Sequence, residues 1–231
     1  FDQLNGKELS YNNLLDVDSA VRLISEFSEP TFAILKHNNA CGIASSSNAS
    51  SSYSKAFDAD PLSAFGGVLI YNSTIDQSAA EKINNLFFEI IISPKYSKES
   101  LEILKSKKNR IILIQKKNIS RKFISRDVLN GSLKQDFDYL TNDYKSWTLV
   151  TKKELNNSQI QDLDFANKVV KHSKSNAIVL VKNKQMLSSG VGQTSRVDAL
   201  KFAIEKAKTF NFDLKGSMMA SDAFFPFPDC I

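Results

Sequence analysis

Apolar residues in this chain come in short blocks that alternate between two periodicities. Behind Asp16-Val17-Asp18, the positions Val21, Leu23, Ile24 and Phe27 fall on one helical face, and Pro30 stops that helix. Phe32-Ala33-Ile34-Leu35 is then an unbroken apolar run of strand length. A polar loop rich in Ser and Asn, from Ser45 to Ser54, leads into a helix near Tyr53 to Ala59. Val68–Tyr71, Glu89–Ile92 and Ile111–Ile114 repeat the strand signal. Helices are predicted between them over Asp76–Phe87, with Asp76 as N-cap, and over Lys98–Lys105. This βαβ rhythm predicts a largely parallel or mixed sheet with helices on its faces.

The stretch from Gly131 to Val150 breaks the rhythm. Leu133, Phe137, Leu140, Trp147, Leu149 and Val150 mark strand-like connecting segments. The pattern then resumes with a helix over Ser158–His172, a strand at Ala177–Val181 and a turn at Lys182-Asn183-Lys184. A short strand at Met186-Leu187, the loop Gly190-Val191-Gly192-Gln193 and a helix over Ser195–Phe210 follow. No repeat is visible in residue identities, yet both halves run helix, buried strand, polar glycine loop, helix. The predicted class is α/β, with a first unit over residues 1–130, a connector over 131–157 and a second, incomplete unit over 158–231.

Composition narrows the function classes. The chain has 231 residues, and an apolar fraction of 42% is enough to bury a core. No run approaches the length of a membrane-spanning helix. Phe1-Asp2-Gln3 has the features of neither an initiator segment nor a signal peptide, and both ends read as cuts through a longer chain. Cys41 and Cys230 are too few and too far apart for a disulfide framework, which suits a reducing, cytoplasmic setting. Net charge is +5, and much of the excess lies between Lys105 and Arg126, where nine Lys or Arg occur with no acid. That stretch flanks the apolar run Ile111–Ile114 and holds only Phe123 as an aromatic. It reads as the solvated edge of a sheet, so neither a nucleic-acid nor a membrane partner is expected.

Four constellations carry candidate chemistry. Lys36-His37-Asn38-Asn39-Ala40-Cys41-Gly42 stands at the end of a buried strand, where open α/β sheets bind ligands. An imidazole there can take or give a proton near neutrality. Asp60-Pro61-Leu62-Ser63-Ala64-Phe65-Gly66-Gly67 puts paired glycines before a strand, which allows close backbone approach. Lys174-Ser175-Asn176 and Gly190-x-Gly192-Gln193-Thr194-Ser195-Arg196 lack the dinucleotide fingerprint but suit an anion nest at a helix start. Ser221-Asp222-Ala223-Phe224-Phe225-Pro226-Phe227-Pro228-Asp229 makes a stiff aromatic wall flanked by carboxylates, fit for a flat heterocycle.

With Leu4-Asn5-Gly6-Lys7-Glu8-Leu9-Ser10-Tyr11-Asn12-Asn13, these segments resemble the AICAR formyltransferase family, in the family's order and over nearly the whole chain. The resemblance implies two tandem cytidine-deaminase-like α/β/α units and a homodimer with active sites at the subunit interface. It implies transfer of a formyl group from 10-formyltetrahydrofolate to the 5-amino group of AICAR. Lys36, His37 and Asn176 then correspond to the catalytic cation, the base and the orienting amide. Asn13, Gly66, Arg196 and Phe224 correspond to nucleotide contacts, and Leu62, Phe65, Val197, Pro226 and Asp229 to the folate pocket. A potassium-like cation site at Val170, Ser173, Ser175 and Asp222 is also implied.

Two other classes share the fold. A zinc nucleobase deaminase needs His-x-Glu and Cys-x-x-Cys, whereas this chain has His37-Asn38-Asn39 and two isolated cysteines, so no zinc is expected. A non-catalytic fragment that binds nucleotide or folate, or only dimerises, is the remaining alternative. Residues 1–231 tested alone are expected to be inactive as a formyltransferase.

Overall fold

The computed structural model describes residues 1–118, 120–141, 143–225 and 227–230. The first half contains β1 (Asp2–Asn5), α1 (Tyr11–Ile24), β2 (Thr31–Lys36), β3 (Asn39–Ser45), α2 (Ala49–Asp58), α3 (Pro61–Ala64) and β4 (Gly67–Tyr71). It continues with β5 (Thr74–Ile75), α4 (Gln77–Ile83), β6 (Phe88–Ser93), β7 (Lys95–Tyr96), α5 (Lys98–Lys105) and β8 (Ile111–Ile114). A separate hairpin of β9 (Phe123–Val128) and β10 (Gly131–Asp136) precedes α6 (Asn157–Lys171), β11 (Ile178–Lys182), β12 (Gln185–Gly190), α7 (Arg196–Thr209) and β13 (Met218–Ser221).

The class is α/β with a mixed sheet. Nine strands form one sheet in the order β1-β8-β6-β4-β2-β3-β12-β11-β13. β4, β6 and β8 run parallel, as the βαβ rhythm predicts, and the pairs from β4 across to β13 are antiparallel. Alternation along β2 shows why the sheet is covered on both faces. Ala33 and Leu35 join the core under α1 and α6, while Phe32 and Ile34 join the core under α2 and α4.

The two hairpins that meet at β3 and β12 are built alike. Each half begins with a helix closed by a capping box, Ser10 with Asn13 in α1 and Asn156 with Gln159 in α6. Six residues after each cap stands an aspartate that holds a hairpin turn. Asp16 accepts the Asn38 N–H at 2.7 Å, and Asp162 accepts those of Asn183 and Lys184 at 2.8 and 2.7 Å. Each turn is two left-handed residues, His37-Asn38 and Asn183-Lys184. The second strand of each hairpin carries a glycine pressed on a helix. A Cβ at Gly42 would lie 1.8 Å from the Ala56 carbonyl oxygen, and one at Gly190 would lie 1.9 Å from that of Ala199.

Several expectations shift in detail. α1 starts at Tyr11, because Ser10 is the cap. β3 and the full length of β12 occupy stretches read as loops, and β1 extends the sheet at its edge. Three of the nine cations of the basic stretch have partners in the fold, and the other six are exposed. Arg110 is buried and bonds Asn84 at 2.8 Å, Lys116 pairs with Asp2 and Arg121 with Asp18, both at 2.6 Å. Among the described residues no helix is long and apolar enough to cross a membrane.

Glu26, just past α1, joins the halves electrostatically. Its Oε1 meets the Lys171 ammonium and the His172 ring, each at 2.9 Å, and its other oxygen accepts from Thr141. Burial alone would raise its pKa, but the bonds from His172, Thr141 and Lys171 outweigh that and lower it from 4.5 to about 2. A carboxylate depressed on folding contributes stability above its unfolded pKa and loses it as pH falls through the folded one. The contribution is thus present above about pH 4.5 and gone below about pH 2. Urea unfolding of Glu26→Gln should show lower stability at pH 7 and a shallower loss of stability through that window than wild type. Equal slopes would contradict this account.

Candidate active site

A groove of about 710 Å³ opens beside the β2–β3 turn. Lys36 closes β2, and the sharp turn after it leaves His37 exposed at the mouth. The Lys36 ammonium donates to the Phe65 carbonyl. An ammonium has three donors, so two N–H bonds remain for a ligand oxygen. Asn13 enters from the first turn of α1. Its Oδ1 completes the capping box at Ser10 N–H, which frees its amide to donate to Glu89 at 3.0 Å. Gly66 forms the floor in a left-handed conformation, with φ of 71°, and its N–H donates to the Phe87 carbonyl at 2.8 Å. The Phe65 and Phe87 rings lie 4.9 Å apart and make an apolar rim.

A second polar cluster lies on the other side of the hairpin. Asn39 Oδ1 accepts the Lys174 N–H at 3.0 Å and so ties the turn to the segment that carries Asn176. The Ser175–Asn176 peptide is cis. Asn176 donates to the carbonyls of Gln193 and Thr194 and accepts from Arg196 at 2.8 Å. Arg196 also bonds Ser221 and pairs with Asp222. Asp222 further accepts the Ala177 N–H at 2.8 Å and the Ser175 hydroxyl. Burial raises its pKa, yet these donors together hold it below the usual carboxylate range.

A family model described as AICARFT/IMPCHase bienzyme matches residues 1–206. The chain belongs to that family. The bifunctional purine biosynthesis protein PurH of Bacteroides thetaiotaomicron is 60% identical over 231 residues, which is all of this chain and 46% of the relative. PurH of Aquifex aeolicus is 48% identical over 229 residues, covering 99% of this chain and 45% of the relative. The chain thus spans less than half the length of the curated relatives it matches.

In this member of the AICARFT/IMPCHase family, one groove gathers Asn13, Lys36, His37, Phe65 and Gly66 from three separate segments. Asn176 and Arg196 sit in the neighbouring cluster and do not line that groove. Leu62, on α3, is 77% exposed, Phe224 is 80% exposed, and Val197 is half-buried on α7. Pro226 and the Asp229 side chain lie outside the described residues. Of the set implied for a cation, the Val170 carbonyl accepts the Ser173 N–H, and the Ser173 hydroxyl donates to Val169. Asp222 already faces the Arg196 guanidinium, which supplies the positive charge a cation would bring. Sequence reasoning missed Glu89, Lys7 and Phe87 as groove residues. An acid within Phe88-Glu89-Ile90-Ile91-Ile92 was the available signal, since buried strands seldom hold one without a use.

Gly66 offers a direct test of the floor. A Cβ there would lie 3.3 Å from the Lys36 Nζ and 3.7 Å from the Phe87 ring. The left-handed backbone alone should make Gly66→Ala less stable by about 1–2 kcal/mol. Crowding of Lys36 adds to this, so the penalty should shrink in a Lys36→Ala background. Denaturant unfolding of the four proteins measures the coupling, and strict additivity would show that the methyl does not reach the ammonium.

Proposed function

We propose that this chain carries the formyltransferase activity of the AICARFT/IMPCHase bienzyme: transfer of the formyl group of 10-formyltetrahydrofolate to the 5-amino group of AICAR. The observation that carries this reading is the convergence of Asn13, Lys36, His37, Phe65 and Gly66 on one groove. These residues are the ones the chemistry needs. An aromatic amine conjugated with a carboxamide is a poor nucleophile and requires a base in reach, worth roughly 10²–10⁴-fold. His37, exposed at the mouth, takes the amine proton as nitrogen attacks the formyl carbon. Lys36, held at its back by the Phe65 carbonyl, directs its free N–H bonds at the oxygen that gains charge. As the tetrahedral centre collapses, the folate nitrogen leaves with a proton and the formamide remains.

The supporting cluster fits a role in alignment. Asn176 is fixed by two carbonyls and by Arg196, and it adjoins the catalytic turn through Lys174 and Asn39. We place nucleotide contacts at Asn13, Gly66, Arg196 and Phe224, and folate contacts at Leu62, Phe65, Val197, Pro226 and Asp229. Exposed apolar side chains at Leu62, Phe65 and Phe224 suit a homodimer that closes the site between subunits in the cytoplasm.

In the full-length protein, His37→Ala should lower kcat for tetrahydrofolate release by roughly 10²–10⁴-fold while KM for AICAR changes little. Lys36→Ala should also slow turnover. Near-normal kcat in the His37 variant would overturn the assignment of the base.

A further inference from the structure

Asp60 is a carboxylate with only 2% of its surface exposed. One oxygen caps α3 by accepting the Ser63 N–H at 2.9 Å. The other meets the ammonium of Lys206, which reaches across from α7 in the second half of the chain. Lys206 is itself mostly buried at this contact. A charge this inaccessible is stabilised by its countercharge, so replacing either partner alone by an apolar residue costs stability. Nearby Cys41 registers the same environment: burial pushes its thiol up to about 12, and the Asp60 charge acts in the same direction.

The segment that Asp60 opens ends on the groove. Pro61–Ala64 is a single helical turn with Pro at its start, and Phe65 follows it directly. The Phe65 carbonyl receives the Lys36 ammonium, and Gly66 is pinned to Phe87 by its N–H. A capped, proline-initiated turn this short has little slack. Where Asp60 is held therefore decides where the Phe65 carbonyl points.

We propose that Lys206 is a positioning residue for formyl transfer. Through its buried pair with Asp60 it fixes the Pro61–Gly66 turn, and through the Phe65 carbonyl it fixes the ammonium of Lys36. This rests on the reading of Lys36 as the group that holds the formyl oxygen. It gives α7 a part in a groove that α7 does not line, and it makes the second half of the chain a requirement for chemistry performed in the first.

The test compares Lys206→Met, Lys206→Arg and Asp60→Asn/Lys206→Met with wild type in the full-length protein. Tetrahydrofolate release gives kcat and KM. Acetylation of Lys36 by N-hydroxysuccinimidyl acetate, with Lys7 as internal reference, is followed by mass spectrometry. Lys206→Met should lower kcat by roughly 10- to 100-fold with KM for AICAR nearly unchanged. Its Lys36 should acetylate severalfold faster, because the Phe65 carbonyl no longer holds the amine. Lys206→Arg should restore both. The double variant removes the buried charge together with its partner and keeps the α3 cap, so it should fold well and still turn over slowly. A folded Lys206→Met protein with wild-type kcat and wild-type acetylation would overturn the inference, as would recovery of kcat in the double variant. If wild type releases no tetrahydrofolate, the formyltransferase reading fails, and the acetylation rates still decide whether Lys206 positions Lys36.

Discussion

The groove exists because a fully buried strand reverses direction within two residues. β2 and β3 are paired from Thr31–Ser45 to Lys36–Asn39, which leaves only His37 and Asn38 to make the turn. Both adopt left-handed backbone, with φ of 50° and 65°, a conformation that costs a non-glycine residue about 1–2 kcal/mol. Neighbouring groups offset that cost. Asp16 takes the Asn38 N–H, the Asn39 amide donates to the His37 carbonyl at 3.0 Å, and Asn39 Oδ1 takes the Lys174 N–H. A glycine turn would need none of these supports, and it would place no imidazole at the tip. The strain and the proposed base come together.

The same device is built twice, and the first copy opens on the groove. In the second hairpin Asn183 and Lys184 stand where His37 and Asn38 stand in the first, and Lys184 is drawn into an ion pair with Glu29 at 2.8 Å. Because β3 and β12 run antiparallel, the two turns lie at opposite ends of the strands. The entry to β11 and the exit from β12 consequently fall beside the first turn, where the Lys174 N–H bonds Asn39 and so brings the segment that carries Asn176 to the hairpin though it is far away in sequence. The duplication escapes comparison of residue identities because it is carried by roles. A cap, an aspartate six residues later, a left-handed pair and a glycine under a helix need share few letters.

The strands at Phe32–Leu35, Val68–Tyr71, Glu89–Ile92 and Ile111–Ile114 were legible in the sequence because unbroken Ile, Leu and Val runs have no other use in a chain this polar. β3 was not, since Asn39-Ala40-Cys41-Gly42-Ile43-Ala44-Ser45 is made of small residues. Their smallness follows from packing: α2 lies so close that Gly42 has no room for a side chain. For the site, Lys36 and His37 stood out by residue type and place. The pairing of Arg196 with Asp222 did not, because a cation beside a glycine loop looks the same in sequence whether it awaits a phosphate or is matched by a carboxylate. Glu89 and Asp60 were visible as acids beside apolar runs, but not in what they do. Their meaning lies in partners, Asn13 and Lys206, that only the fold supplies.

Strand pairing alone would join the two halves weakly. β3 and β12 share a single paired position, Gln185 with Ala44. Apolar packing under α1 and α6 is continuous across the join, as in the 5.0 Å contact of the Phe27 and Phe165 rings, but such packing is non-directional and tolerates small slips. What specifies the alignment is a set of ion pairs that cross it: Glu26 with Lys171, Glu29 with Lys184 and Asp60 with Lys206. Desolvation removes much of the net stability from a buried pair, yet a mispaired arrangement would leave a charge buried alone, which is far worse. Two of these three carboxylates are largely sealed from water, so they act less as adhesive than as a penalty on every other docking of the halves. A groove whose ammonium is held by a carbonyl on one such anchored turn needs that penalty more than it needs additional cohesion.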